Sequence, residues 1–114
     1  MIHVPDVGAT VQWYLSIGFK VNAINDEDGE ANWASLSLEN SELMLNAGGR
    51  TSAEYRREID LYIHVDDVDA LFERLQDRVE MVEELHDTFY GMREFIIRDI
   101  NRFWIIFGQS VRDR

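Results

Sequence analysis

The sequence predicts an α+β fold in which one domain, residues 1–114, is built from two tandem βαβββ modules. Three observations carry this. The stretch Glu58 to Leu75, EIDLYIHVDDVDALFERL, changes period midway: Leu61, Ile63 and Val65 alternate with Asp60, Tyr62 and His64, and then Val68, Leu71, Phe72 and Leu75 recur at spacings of three and four. A period of two is a strand and a period near 3.6 is a helix, so a strand feeds an amphipathic helix. The same pattern stands at the N-terminus, where His3-Val4-Pro5-Asp6-Val7-Gly8-Ala9 returns as His64-Val65-Asp66-Asp67-Val68-Asp69-Ala70, with five of seven positions identical at an offset of 61 in 114 residues. An offset of about half the length marks an internal duplication. Finally, each helix is followed by three more segments of strand pattern.

Taken in order, Met1 to Val4 is a very short first strand, and Asp6 caps a helix running through Ile17 with Val7, Val11, Tyr14 and Leu15 on its buried stripe. Gly18 ends it, Phe19 to Ile24 is the second strand, and Asn25-Asp26-Glu27-Asp28-Gly29 is an acidic turn without the ligand spacing of a calcium loop. Asn32 to Leu38 alternates as the third strand and Glu42 to Asn46 forms the fourth. The modules span about 1–46 and 59–108, joined by a loop over 47–58 that contains Gly48-Gly49. The second module reads strand Ile59 to Val65, helix Asp67 to about Gln76 with Asp66 or Asp67 as cap, then strands Val79 to Glu84, Met92 to Arg98 and Arg102 to Phe107. A four-stranded module of this kind exposes one sheet face, so two must join within the chain or across a dimer.

Composition narrows the function. With 46% hydrophobic residues the chain can bury a real core, and without cysteine it has neither disulfides nor thiolate chemistry, which fits the cytoplasm. No apolar run reaches the length of a signal peptide or membrane span; the longest is Phe103 to Phe107. A net charge of −11 repels a phosphate backbone, excludes nucleic acid as the expected partner and favours cationic ligands, although an acidic surface also serves solubility alone.

Four segments together resemble the glyoxalase, bleomycin-resistance and extradiol-dioxygenase (vicinal oxygen chelate) superfamily: VPDVGATVQWYLSIGF, ELML, DLYIHVDDVDALFERL and YGMREFIIRDINRFWIIF. The last is similar to the WGxREFxxxDPxGN pattern of the bleomycin-resistance branch. The resemblance implies a curved mixed sheet with a concave cavity and helices on the outer face. One departure is the turn Asp99-Ile100-Asn101-Arg102, which lacks the branch's proline and glycine.

The resemblance also locates the metal positions of metal-using members. On the first strands these fall on Asp60 and, in the first module, two residues ahead of Met1; on the fourth and eighth strands, where glutamate would sit, they fall on Met44 and Ile106. One ligand from three readable positions does not make a site. Asp60 and His64, on one strand face, are about 13 Å apart at the usual rise, whereas metal ligands lie about 2.1 Å from a shared ion. The expectation is no metal and no cofactor, and therefore no chelation of vicinal oxygens.

The strand faces turned away from the helices would line the cavity with His3, Trp33, Ser35, Met44, Asn46, Asp60, Tyr62, His64, Trp104 and Ile106. Tryptophan, tyrosine, methionine and a carboxylate suit a flat aromatic or cationic molecule. The plainer readings are that Trp33 and Trp104 are core or interface residues, that His64 is a hydrogen-bonded strand residue, and that Asp60 pairs with Arg93 or Arg98. No Ser-His-Asp or Cys-His set is legible, so no catalytic residue is expected. The first expectation is a metal-free, dimeric ligand-binding protein resembling those that confer antibiotic resistance by sequestering a drug. The alternative is a metal-dependent lyase, isomerase or dioxygenase whose missing ligand lies in an N-terminal segment ahead of Met1, and a third is an interaction module.

Overall fold

A computed structural model describes residues 2–48 and 60–113; beyond Gly48, the joining loop predicted over 47–58 lies outside the described residues. The chain divides into two compact units, Met1–Ala53 and Glu54–Arg114, and each carries the order β-α-β-β-β.

In the first unit β1 (Ile2–Val4) leads to α1 (Val7–Ser16), then β2 (Lys20–Glu27), β3 (Glu30–Leu38) and β4 (Ser41–Ala47), in a mixed sheet of order β1-β4-β3-β2. Asp6 caps α1 from an extended conformation, its carboxylate accepting the Ala9 N–H at 2.9 Å. Gly18, at φ +108°, turns the chain out of the helix through the region that only glycine enters freely. The buried helix stripe is Val7, Thr10, Val11 and Tyr14, continued by Ile17. Leu15, expected on that stripe, is instead 37% exposed, because it lies one residue beyond Tyr14 and falls on the flank of the face that meets the sheet. Against α1 the sheet buries Val4, Ala34, Leu36 and Leu45, all at most 1% exposed.

The acidic turn expected over Asn25–Gly29 is shorter than its composition suggests. β2 runs on to Glu27, which pairs with Glu30, leaving a two-residue turn of Asp28 (φ +53°) and Gly29 (φ +82°). Two positive φ angles match the twist of paired strands, and Asp-Gly is a favoured pair for that turn.

The second unit repeats the order with β5 (Asp60–His64), α2 (Val68–Leu75), β6 (Glu80–Asp87), β7 (Met92–Arg98) and β8 (Trp104–Ser110), in a sheet of order β5-β8-β7-β6. In both units the first strand pairs parallel to the fourth. Asp67 is the cap, accepting the Ala70 N–H at 3.1 Å, the counterpart of Asp6 in the repeat. Buried Gln109 completes this corner: its Oε1 accepts the Val68 N–H at 3.0 Å and its Nε2 donates to the Asp66 carbonyl. Val68 and Leu75 of α2 pack toward Phe95, Ile97, Ile105 and Phe107, each 0% exposed, with Phe72 edge-on to Phe95 at 5.3 Å.

β6 and β8 both extend three residues past their expected ends, since β7 supplies partners as far as Asp87↔Arg93 and Met92↔Ser110. The proline-free turn closes as a three-residue connection, Ile100–Arg102. Asp99 accepts the N–H groups of Asn101 and Phe103 at 2.8 Å each, and Arg102 takes φ +69° where the related pattern has glycine.

Candidate functional site

Strand alternation leaves each sheet with one face away from its helix, and cross-strand register determines which side chains meet there. On the first unit's open face His3, Asn46 and Trp33 form one row, because Asn46 pairs with both others, and Met44 pairs with Ser35 in the next. Met44 is 41% exposed, His3 is exposed, and Trp33, Ser35 and Asn46 are half-buried. Asn22 secures this face by donating to Ser35 Oγ at 3.3 Å and accepting from Ser37 Oγ at 3.1 Å.

On the second unit Asp60 pairs with Trp104, Tyr62 with Ile106, and His64 with Gly108. All five residues expected here therefore share the open face of β5 and β8. The Tyr62 and His64 rings lie 4.9 Å apart. The arginines weighed as partners of Asp60 make ion pairs elsewhere: Arg93 with Asp69 at 2.7 Å and Asp87 at 3.0 Å, and Arg98 with Glu80 at 2.8 Å.

Sequence reading missed Glu94. It follows Arg93 on β7, pairs in register with Gly108, and faces the open side although it is only 3% exposed. Both its oxygens accept phenol protons, Oε2 from Tyr62 and Oε1 from Tyr90, each at 2.6 Å. Tyr62 reaches it by lying across Gly108, where an added Cβ would stand 2.1 Å from the Tyr62 hydroxyl. The phenol pKa values of both tyrosines are raised, Tyr62 first by burial and then by the bond to Glu94, Tyr90 first by that bond and then by burial. The available signal was alternation through MREFIIR, which sets a carboxylate on the open face between Met92 and Ile96 opposite a glycine.

The ligand positions implied by the resemblance fall on Met44 and Ile106, whose thioether and hydrocarbon offer no oxygen or nitrogen donor, and among the described residues no group of three or more His, Asp or Glu side chains converges on one point. A cavity of about 430 Å³ opens at the start of α1, between Pro5–Gly8, Gly29–Ala31 and Ala47, and none of the ten sequence-predicted residues lines it. Among the described residues no helix is long and apolar enough to cross a membrane.

Each unit of the duplicated βαβββ chain thus carries its helix on one face of a four-stranded sheet and aromatic and polar side chains on the other. The chain belongs to the Glyoxalase/Bleomycin resistance protein/Dioxygenase superfamily, whose family model matches residues 1–107. Among solved structures it is similar to TioX from Micromonospora sp. ML1, with 21% identity over 96% of this chain and 97% of that one and a TM-score of 0.78. The bleomycin resistance determinant encoded on transposon Tn5 superposes with a TM-score of 0.71 at 14% identity, covering 96% of this chain and 92% of that one. A glyoxalase/bleomycin resistance protein/dioxygenase from Alicyclobacillus acidocaldarius gives 0.73 at 16% identity, covering 96% and 88%. No curated protein matches the sequence.

Proposed function

We propose that this chain is a metal-free small-molecule-binding protein that holds a cationic aromatic compound, such as a drug of the bleomycin type, on its open sheet faces and does not transform it. The observation that carries this reading is the exchange of ligand for lining: where metal-using relatives would place glutamates stand Met44 and Ile106, in register beside Ser35 and Tyr62, with Trp33 and Trp104 on the neighbouring rows. Aromatic surface attracts planar cations by stacking and by the ring quadrupole, and the net charge of −11 steers them in. The ten lining residues are assigned to ligand contact on this basis, and Trp33, Trp104 and Tyr62 supply the stacking surfaces.

The protein is proposed to work as a cytoplasmic homodimer. The three-residue β1 is short for an edge strand, and the other edge, β2, is exposed along its whole length with Val21 37% and Ile24 46% open. Such edges invite a second chain. Sedimentation is expected to give about twice 13.4 kDa.

Tryptophan fluorescence tests the reading. A cationic bleomycin-type glycopeptide should quench emission, with an association rate that falls as salt rises and a dissociation rate that barely responds. Trp33→Ala or Trp104→Ala should speed dissociation. Quenching by neutral or anionic metabolites but not by cationic aromatics would reject drug sequestration. One equivalent of transition metal per chain, lost with an activity in Asp60→Ala, would instead favour the metal-dependent enzyme.

A further inference from the structure

The Glu94 cluster has a chemistry of its own. Two phenols close on one buried carboxylate, and each has a second ring beside it: Tyr62, which is 40% exposed, lies 4.9 Å from His64, and Tyr90, 56% exposed, stands edge-on to Phe89 at 5.0 Å. Phe89 is 99% exposed although its turn is pinned. The Thr88 N–H donates to the Met92 carbonyl at 2.7 Å, the Met92 N–H returns to Thr88 Oγ1 at 3.1 Å, and the Val111 N–H reaches the Gly91 carbonyl at 3.1 Å. A fixed turn thus holds a bare aromatic ring beside Tyr90.

Each phenol has one proton, and both protons are committed to Glu94. The lone pairs left on the two phenol oxygens can only accept, and the anion behind them polarises them as acceptors. Gly108 is what admits this arrangement, since any side chain there would displace Tyr62. The surface is therefore rich in π faces, offers acceptors at both phenols, and has one negative charge beneath it. An anion would meet repulsion, and a neutral ring would leave the charge unused.

We propose that Tyr62, Glu94 and Tyr90, flanked by the rings of His64 and Phe89, form a recognition subsite for a planar organic cation bearing N–H donors, of the amidinium, guanidinium or protonated amino-heteroaromatic class. The cation's N–H groups bond to the two phenol oxygens, its ring lies against the aromatic faces, and Glu94 supplies the countercharge through the phenols. This inference rests on the sequestration reading and deepens it by assigning the charge selectivity to Glu94 and Tyr90, which lie outside the ten-residue lining.

The test uses the full chain and two probes of matched shape, benzamidinium and uncharged benzamide, titrated while backbone amide resonances are followed by NMR. Benzamidinium is expected to shift the amides around Tyr62, Tyr90 and Glu94 and to bind at least about tenfold more tightly than benzamide, the lower range for a charge-assisted contact. Glu94→Gln should erase that preference, and Tyr62→Phe and Tyr90→Phe, which leave the carboxylate in place, should each reduce it severalfold. If Glu94→Gln fails to fold, the two phenylalanine variants decide the matter. Equal binding of the two probes, an undiminished preference in the variants, or shifts confined to the surroundings of Trp33 or Trp104 would overturn the subsite while leaving sequestration intact. Absence of binding by both benzamidinium and the cationic glycopeptide would overturn both.

Discussion

Replacing Gly108 with alanine isolates the contact that sets the open face of the second unit. Gly108 lies within β8 and is not at positive φ, so alanine suits its backbone and should by itself add about 0.5–1 kcal/mol of stability. The new Cβ, however, would stand 2.1 Å from the Tyr62 hydroxyl oxygen and 2.8 Å from Cζ, so the ring must swing away. That breaks the 2.6 Å bond to Glu94, a hydrogen bond to a charged group worth about 1.5–3 kcal/mol. The net expectation for Gly108→Ala is a loss of about 1–2 kcal/mol. In a Tyr62→Ala background the obstruction and the bond are both gone, and the same substitution should stabilise by about 0.5–1 kcal/mol. Urea unfolding of the four proteins closes a double-mutant cycle whose coupling should be about 1.5–3 kcal/mol. If Gly108→Ala had the same effect with and without the Tyr62 ring, the account of Gly108 as the seat of Tyr62 would be refuted.

Because the folded state holds the Tyr62 and Tyr90 protons more tightly than the unfolded chain, the stability they contribute should be complete below about pH 10 and decline as pH rises past that value; the phenolate absorbance band should appear later in native protein than in urea, and coincident titrations would contradict this. Gln109→Leu should lower stability by about 2–3 kcal/mol in chemical denaturation, since it strands the buried Val68 N–H and the Asp66 carbonyl together, and a loss under 0.5 kcal/mol would mean that water replaces both bonds. Asp67→Ala should cost about 1 kcal/mol by removing the α2 cap, with thermal unfolding as the readout. Arg102→Gly should raise the unfolding midpoint, because it relieves a left-handed residue at a cost of only part of the roughly 1–2 kcal/mol regained.

The period switch in DLYIHVDDVDALF, the repeat of His3–Ala9 at His64–Ala70, and the two aspartate caps all depend on neighbours within a few residues, where backbone periodicity and local hydrogen bonding decide the outcome. For that reason the two helices, the order of strands and the shared sheet face of the ten residues proposed to contact ligand were legible from local pattern alone. The remaining features come from contacts between distant strands. β2, β6 and β8 outrun their expected ends because a neighbouring strand supplies further hydrogen-bond partners, and a strand's length is a property of the pair. Leu15 is exposed because, one residue beyond Tyr14, it falls on the flank of the helix face that the sheet covers. Gln109 reads as an ordinary strand residue until the fold brings it to a helix start 41 positions earlier. Glu94 is the sharpest case: a carboxylate in alternation is expected in water, and it is buried only because Tyr62, 32 residues away, crosses a glycine to reach one oxygen while Tyr90 takes the other. Burial of a charge requires that every partner arrive together, and that condition is met in three dimensions.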